Sequence, residues 1–389
     1  WFDTNYHYLV PELDPDTDFH LSDRSKLEEF RRALKNGYHV RPTFVGPVTF
    51  LALSKAADNC ADDWSTLDLL EGLLPVYAEL LKEFAEAGAK WIQFDEPALT
   101  SDNLDVSRGA LIEAGKRAWD TLARGQDRPE LLVTLPYGDG AQALLALAET
   151  DVEALHVDLR RTPALEADTV AKLQGKTLVA GVVEGRNIWR ADLRQAEKSL
   201  QELQDQGATS LCACTATSLQ HVPVDLSAEE WEDPELDAAL HQWLAFADQK
   251  VAEVATLGRG IQDGWETIQE AVLASDEAIA SRNAFPGVVR QEIREAVAAV
   301  SADDVDREDS RTRQQAQAQV LDLPPLPTTT IGSFPQTSEI RQARADHTQG
   351  RISDDEYRAA MEAEITRVIR LQEDLGLDVL VHGEAERND

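Results

Sequence analysis

The chain reads as an α/β protein built on parallel sheets, and three observations carry that reading. Six short apolar, β-branched runs recur before Thr215 with helical stretches between them. A strand, helix, strand unit occupies the last part, from Leu326 to Asp389. Between the two lies a region rich in Ala, Glu, Arg and Gln that ends in the proline-dense run Val320 to Pro327.

The six runs are Val40 to Val45, Trp91 to Phe94, Leu131 to Leu135, Ala154 to Leu159, Thr177 to Val183 and Thr209 to Cys214. Helical patterns such as Leu67 to Ala89 and Ala191 to Gln206 separate them. Strands alternating with helices at this spacing predict a (β/α)8 TIM barrel, which at a usual size of roughly 250 residues needs one or two strands before Trp1. Trp1 is no initiator, and the aromatic run Trp1 to Tyr8 carries no signal-peptide pattern, so the front end reads as cut. The expected domains are a first barrel over 1–265, lacking its first strands, a helical and proline-rich connection over 266–325, and the start of a second barrel over 326–389. Of that second barrel only two strands are expected, around Leu326 to Thr337 and Leu377 to Asp389, joined by a helix from Glu339 to Leu375.

Composition narrows the function. No apolar run approaches the roughly 20 residues needed to span a bilayer, which predicts a soluble chain. Three cysteines, two of them in Cys212-Ala-Cys214, supply no disulfide framework and suit a reducing cytoplasm. The 71 acidic residues against 37 basic ones leave a formal net charge of −34, which disfavours nucleic acid and anionic membrane as partners.

Eight ordered segments resemble cobalamin-independent methionine synthase. They are WFDTNYHYLVPEL (1 to 13), GPVTFLALSK (46 to 55), WIQFDEPAL (91 to 99), LHVDL (155 to 159), GRNIWRADL (185 to 193), HVPVDLS (221 to 227), LPTTTIGSFPQTSEIR (326 to 341) and LGLDVLVHGEAERND (375 to 389). The resemblance implies two barrels from a duplication, the second holding the chemistry. The implied reaction moves a methyl group from a 5-methyltetrahydrofolate polyglutamate to homocysteine without cobalamin, in the cytoplasm, on a monomer that takes small-molecule substrates. It also implies a catalytic zinc whose ligands fall beyond Asp389, so neither catalytic nor metal residues are expected here. Two alternatives are a non-catalytic two-barrel paralogue that only binds small molecules and a related barrel decarboxylase.

The candidate binding residues follow from the same segments. Ile331-Gly332-Ser333 offers backbone N–H groups and a hydroxyl to an anion, with glycine allowing close approach. Glu384 lies just past the next expected strand. The resemblance implies that Ile331, Gly332 and Ser333 hold the carboxylate side of homocysteine and Glu384 its amino group. Elsewhere the bland readings prevail. Asp95-Glu96 is expected to cap and to form rim salt bridges, and His156, two residues from Asp158 on one strand face, to be a hydrogen-bonded structural histidine. Glu184, Arg186, Asn187 and Arg190 are expected as rim or interdomain contacts. Cys212 and Cys214 with His221 lack a fourth metal ligand and read as small strand cysteines.

The charge leaves two readings open, an ordinary acidic enzyme or a protein of a salt-rich cytoplasm in which salt screens carboxylate repulsion. On the second reading the melting temperature rises between dilute buffer and multimolar KCl. Equal melting temperature and activity in both solutions decide for the first.

Overall fold

The computed structural model describes residues 1–387 except Asp3, Asn5, Tyr6 and His7. Most of the WFDTNYHY segment's centre and the final Asn388 and Asp389 therefore lie outside the described residues. The chain divides into two units, Trp1–Arg290 and Gln291–Asp389.

The first unit is an α/β fold around one parallel sheet. Its six strands are β1 (Thr43–Val45), β2 (Trp91–Asp95), β3 (Glu130–Leu135), β4 (Ala154–Asp158), β5 (Thr177–Val183) and β6 (Leu211–Thr215). They lie side by side in chain order, every neighbouring pair parallel. Each expected apolar run thus supplies one strand. The first is shorter than expected because Pro42, which has no N–H to donate, sits at its entrance. A separate parallel pair of two residues each joins Glu12–Leu13 to Lys55–Ala56.

Helices connect successive strands and bury one face of the sheet. The helix Leu193–Asp205 shows why they form: Asp192 caps its start by accepting the Gln195 N–H at 2.9 Å, and Leu193, Ala196, Leu200 and Leu203 repeat at helical spacing on the buried side. Against such helices the sheet places Phe94, Val133, Leu155, Val157 and Ala180, all at 0% exposure. Each large apolar side chain withdrawn in this way is worth about 1.5–3 kcal/mol. The main core also takes Ile268 and Val272, so the helix Gln269–Ala284 belongs to the first unit. The stretch expected as a connection, 266–325, is divided between the two units; its alanine-rich composition concealed the two aliphatic positions that dock on the core.

Strand alternation sends the other side chains to the opposite face. The register links Val45, Asp95, Thr134, His156, Val179 and Cys212 in one row across all six strands. Gly181 sits one step beyond this row on the same face, paired with Asp158 and Cys214, and lets β6 and the loop after it pack close to His156. A Cβ there would lie 2.7 Å from the Ala216 Cα, 2.8 Å from His156 Nε2 and 2.9 Å from the Val157 carbonyl oxygen.

In the second unit the helix expected from Glu339 to Leu375 is two helices, Ser338–Thr348 and Asp354–Asp374. Gly350, at φ +67°, turns the chain between them, and Ser353 restarts the helix with a capping box to Glu356. Ile340, Met361 and Ala385 form the small core that joins them. The two strands expected for a second barrel are corrected here: among the described residues of this unit there is no strand. Instead the Thr328 carbonyl accepts from Asp378 and Val379 N–H at 3.2 and 3.0 Å, and the Phe334 N–H donates to the Gly383 carbonyl at 3.0 Å. Two neighbouring segments without further strands do not sustain a parallel ladder, and Pro327 and Pro335 remove donors from one of them.

Gly181→Ala should destabilise the first unit by about 1–3 kcal/mol, since two of the three obstructing atoms are backbone and cannot swing aside. Urea unfolding followed by circular dichroism measures this; an unchanged midpoint would mean that this face tolerates a methyl group.

Candidate functional site

Polar side chains collect at the carboxyl ends of the parallel strands, where loops leave the sheet and backbone ladders stop competing for donors. Asp95 ends β2. Its Oδ1 accepts from Gln93 Nε2 at 2.7 Å and from the Thr134 hydroxyl at 2.6 Å, which ties β2 to β3.

Glu96, the next residue, points the other way and is 0% exposed. Its two carboxylate oxygens accept from the N–H groups of Val48 (3.2 Å) and Thr49 (2.8 Å) at the start of the helix Pro47–Leu53. That helix has Gly46 at its N-cap and no side-chain cap of its own, so Glu96 satisfies two orphan donors from outside. Burial nevertheless pushes the Glu96 carboxyl up to about 7, against the pull of the Thr49 and Val48 donors. The capping expected for Asp95-Glu96 is present. The rim salt bridges are not found among the described residues, because Glu96 turns inward.

His156 is 4% exposed and its Nε2 lies 3.1 Å from the Thr215 carbonyl, an acceptor, so Nε2 carries the proton. Nδ1 has no partner. Burial holds the ring's pKa down to about 4, so it is neutral at physiological pH. Asp158 is 0% exposed, accepts the Arg160 and Arg161 N–H groups at 2.9 and 3.1 Å through Oδ1, and is pushed up to about 6 chiefly by burial. The two residues therefore do not form a pair: one bonds across to β6 and the other caps its own turn.

The loop after β5 holds itself together. Glu184 accepts the Arg186 N–H at 3.2 Å, Asn187 accepts the Trp189 N–H at 3.0 Å, and Arg190 donates to the Gln242 carbonyl at 3.2 Å. Cys212 and Cys214 are free thiols, both raised by burial. No group of three or more His, Cys, Asp or Glu among the described residues could hold a metal ion.

Tyr137 is a residue that sequence reasoning passed over. It follows β3 with φ +73°, a left-handed backbone that non-glycine residues adopt at a cost, and its hydroxyl sits 2.7 Å from His221 Nε2. The only sequence signal is its position between Pro136 and Gly138 just past a strand. Tyr137, Asp95, Thr134 and His156 line one cavity of about 300 Å³, with Arg41 and Thr217.

In the second unit the segments bearing the expected substrate residues are adjacent. The Phe334 to Gly383 hydrogen bond brings the residue after Ser333 against the residue before Glu384, and Gln336 Nε2 donates to the Glu384 carbonyl at 3.3 Å. Ile331 is fully exposed, and nothing lies within 4 Å of a Cβ built on Gly332. Glu384 has a left-handed backbone, φ +56°, and its Oε2 accepts from Arg387 Nη1 at 2.8 Å.

Residues 1–208 match the family model described as the N-terminal domain of cobalamin-independent synthase, and residues 326–389 match the catalytic domain of the same family. The 5-methyltetrahydropteroyltriglutamate–homocysteine methyltransferase of Mycobacterium tuberculosis (strain ATCC 25618 / H37Rv) is 48% identical over 389 residues, which are 100% of this chain and 50% of that protein. The Nitrobacter winogradskyi enzyme of the same name is 43% identical over 392 residues, covering 100% of this chain and 49% of its own length. The chain thus spans about half the length of these relatives. A B12-independent methionine synthase structure from Shewanella sp. W3-18-1, in complex with selenomethionine, superposes with a TM-score of 0.43 at 16% identity, over 63% of this chain and 67% of that one.

The buried carboxyl of Glu96 makes stability depend on pH. The folded chain keeps this proton up to about pH 7, whereas the unfolded chain releases it near 4.5, so the stability contributed by Glu96 falls as pH rises across that window. Over the window the loss amounts to about 3 kcal/mol. In Glu96→Gln the wild-type minus variant difference in unfolding free energy should shrink by that amount between pH 4.5 and 7. A difference that grows with pH would show that the Val48 and Thr49 donors outweigh burial.

Proposed function

The chain belongs to the cobalamin-independent methionine synthase family, and from that membership we propose that the protein carrying it transfers the methyl group of 5-methyltetrahydropteroyltri-L-glutamate to L-homocysteine, forming L-methionine. Cobalamin is not used. We assign the protein to the cytoplasm, acting as a monomer on small molecules; no helix among the described residues is long and apolar enough to cross a membrane. The first unit is read as the major part of a (β/α)8 barrel and the second as the beginning of another.

Homocysteine presents a carboxylate, an ammonium group and a thiol. In this reading the backbone N–H groups and hydroxyl of Ile331 to Ser333 donate to the carboxylate, and Glu384 accepts from the ammonium. The observation that carries it is the strained backbone of Glu384, held beside the Ile331 to Ser333 segment by the Phe334 to Gly383 hydrogen bond. The half-buried Glu384 stands between buried Gly383 and Ala385, its Oε2 on Arg387 and its Oε1 left to accept from the ammonium. The open space around Gly332 leaves its N–H accessible.

A tertiary-amine methyl is a poor electrophile, so the reaction needs a thiolate and a protonated folate nitrogen. Zinc, which the family implies, would supply that thiolate by lowering the pKa of a thiol bound to it. The described residues offer no ligand set for it, so they are assigned substrate binding and orientation and no metal chemistry.

In the full-length protein Glu384→Gln should weaken homocysteine binding by about 1.5–3 kcal/mol, as expected for a hydrogen bond to a charged group, and leave zinc content unchanged. Isothermal titration with homocysteine and metal analysis measure both. Unchanged affinity removes Glu384 from the site; loss of zinc as well makes its role structural.

A further inference from the structure

We propose that Arg344 is a positioning residue for homocysteine: through the Gln336 side chain and the backbone carbonyls of Ala385 and Arg387 it holds the turn from which Glu384 meets the ammonium group. The proposal rests on the assignment of Ile331, Gly332, Ser333 and Glu384 to homocysteine, and adds to it a residue that acts through its neighbours.

Arg344 belongs to the helix Ser338–Thr348 and is half-buried. Its Nη2 stands 3.0 Å from Gln336 Oε1, 3.1 Å from the Ala385 carbonyl and 2.8 Å from the Arg387 carbonyl. The first acceptor belongs to the segment that carries Ile331 to Ser333, the other two to the turn that follows Glu384. One charged donor therefore ties together the two halves of the site, and bonds from a charged group are the stronger kind. Arg344 Nε is buried without a protein partner, a cost that stands against the side chain being there for stability alone.

Gln336 transmits the hold. With Oε1 taken by the guanidinium, its amide turns Nε2 the other way, where it donates to the Glu384 carbonyl at 3.3 Å. That carbonyl also accepts the Arg387 N–H at 3.2 Å, so the peptide after Glu384 is fixed from two sides. Arg387, whose own carbonyl Arg344 holds, donates from Nη1 to Glu384 Oε2 at 2.8 Å, so the carboxylate is placed along with the backbone. The flanking residues are anchored independently: the Gly383 carbonyl accepts the Phe334 N–H at 3.0 Å, and Ala385 is buried with Ile340 and Met361. Glu384 keeps its φ of +56° between them, a conformation that persists only where the surroundings over-determine it. Arg344 supplies that over-determination on the side where the turn leaves Glu384.

The test is a double-mutant cycle in the full-length protein, read by isothermal titration with homocysteine and, separately, with the methyl donor. Arg344→Met should weaken homocysteine about tenfold and leave donor affinity and zinc content at wild-type values. Gln336→Leu should reproduce part of the loss, and it keeps the test decisive if Arg344→Met does not fold. Glu384→Gly keeps the left-handed turn and removes the carboxylate. In that background neither substitution should weaken homocysteine by more than about twofold further, because no carboxylate is left to place. Wild-type homocysteine affinity in Arg344→Met and Gln336→Leu, alongside a loss in Glu384→Gly, overturns the proposal and leaves the site assignment standing. An equal loss with and without Glu384, or a loss of donor affinity and zinc as well, also overturns it, since Arg344 would then be holding the fold. Wild-type affinity in Glu384→Gly removes the assignment itself, and the proposal with it.

Discussion

A carboxylate at 0% exposure organises the first unit. Glu96 accepts the free N–H groups of the helix Pro47–Leu53, while its own N–H donates to the Thr134 carbonyl at 3.0 Å and the Gly46 N–H donates to the Asp95 carbonyl at 2.9 Å. One residue therefore connects β2, β3 and the helix that follows β1. Gly46 is required by the same arrangement, because a Cβ there would lie 2.2 Å from the Glu96 Cδ. Burying an acid costs free energy, which is visible in its raised pKa; in return it removes two orphan helix donors from a dry core, each of which would cost about 1–3 kcal/mol left unsatisfied.

Because Glu96 turns into the core, its neighbour Asp95 turns out of it. Strand alternation then continues along the register row, so Thr134 and His156 share the face of Asp95 while Phe94, Val133, Leu155 and Val157 share the core. The polar cavity is a consequence of that division. Its histidine is neutral for the same reason that Glu96 is a weak acid: burial disfavours the charged form of each, lowering one pKa and raising the other.

The second unit shows what happens where such support is thin. Its helices Ser338–Thr348 and Asp354–Asp374 meet over a small core, and the segments flanking them are held mainly by side-chain hydrogen bonds, such as the pair that Gln372 exchanges with the backbone of Val381, both at 2.8 Å. The helices Gln291–Ala298 and Ser310–Leu321 bury no residue at all. Backbone strain at Glu384 persists in this setting with Arg387 holding its carboxylate.

Strand positions, the parallel order of the sheet and the family were legible in the residues, because apolar runs separated by amphipathic stretches report directly on burial with period 2 or 3.6. The capping role of Glu96 was legible too, from a carboxylate at a strand end. Which way each carboxylate turns was not: Asp95 and Glu96 are chemically alike, and only the position of the helix Pro47–Leu53, some fifty residues earlier, makes one a buried cap and the other a cavity wall. Tyr137 escaped notice for a related reason, since a positive φ is a property of the packed chain rather than of residue type. The strand pattern near Leu326 and Leu377 was real as a pattern but did not become a sheet, because a strand is completed by its neighbours. Periodicity, a local property, was determined by the sequence alone; partnership between distant residues was decided only by the tertiary structure, because hydrogen-bond satisfaction and desolvation depend on what lies across the gap.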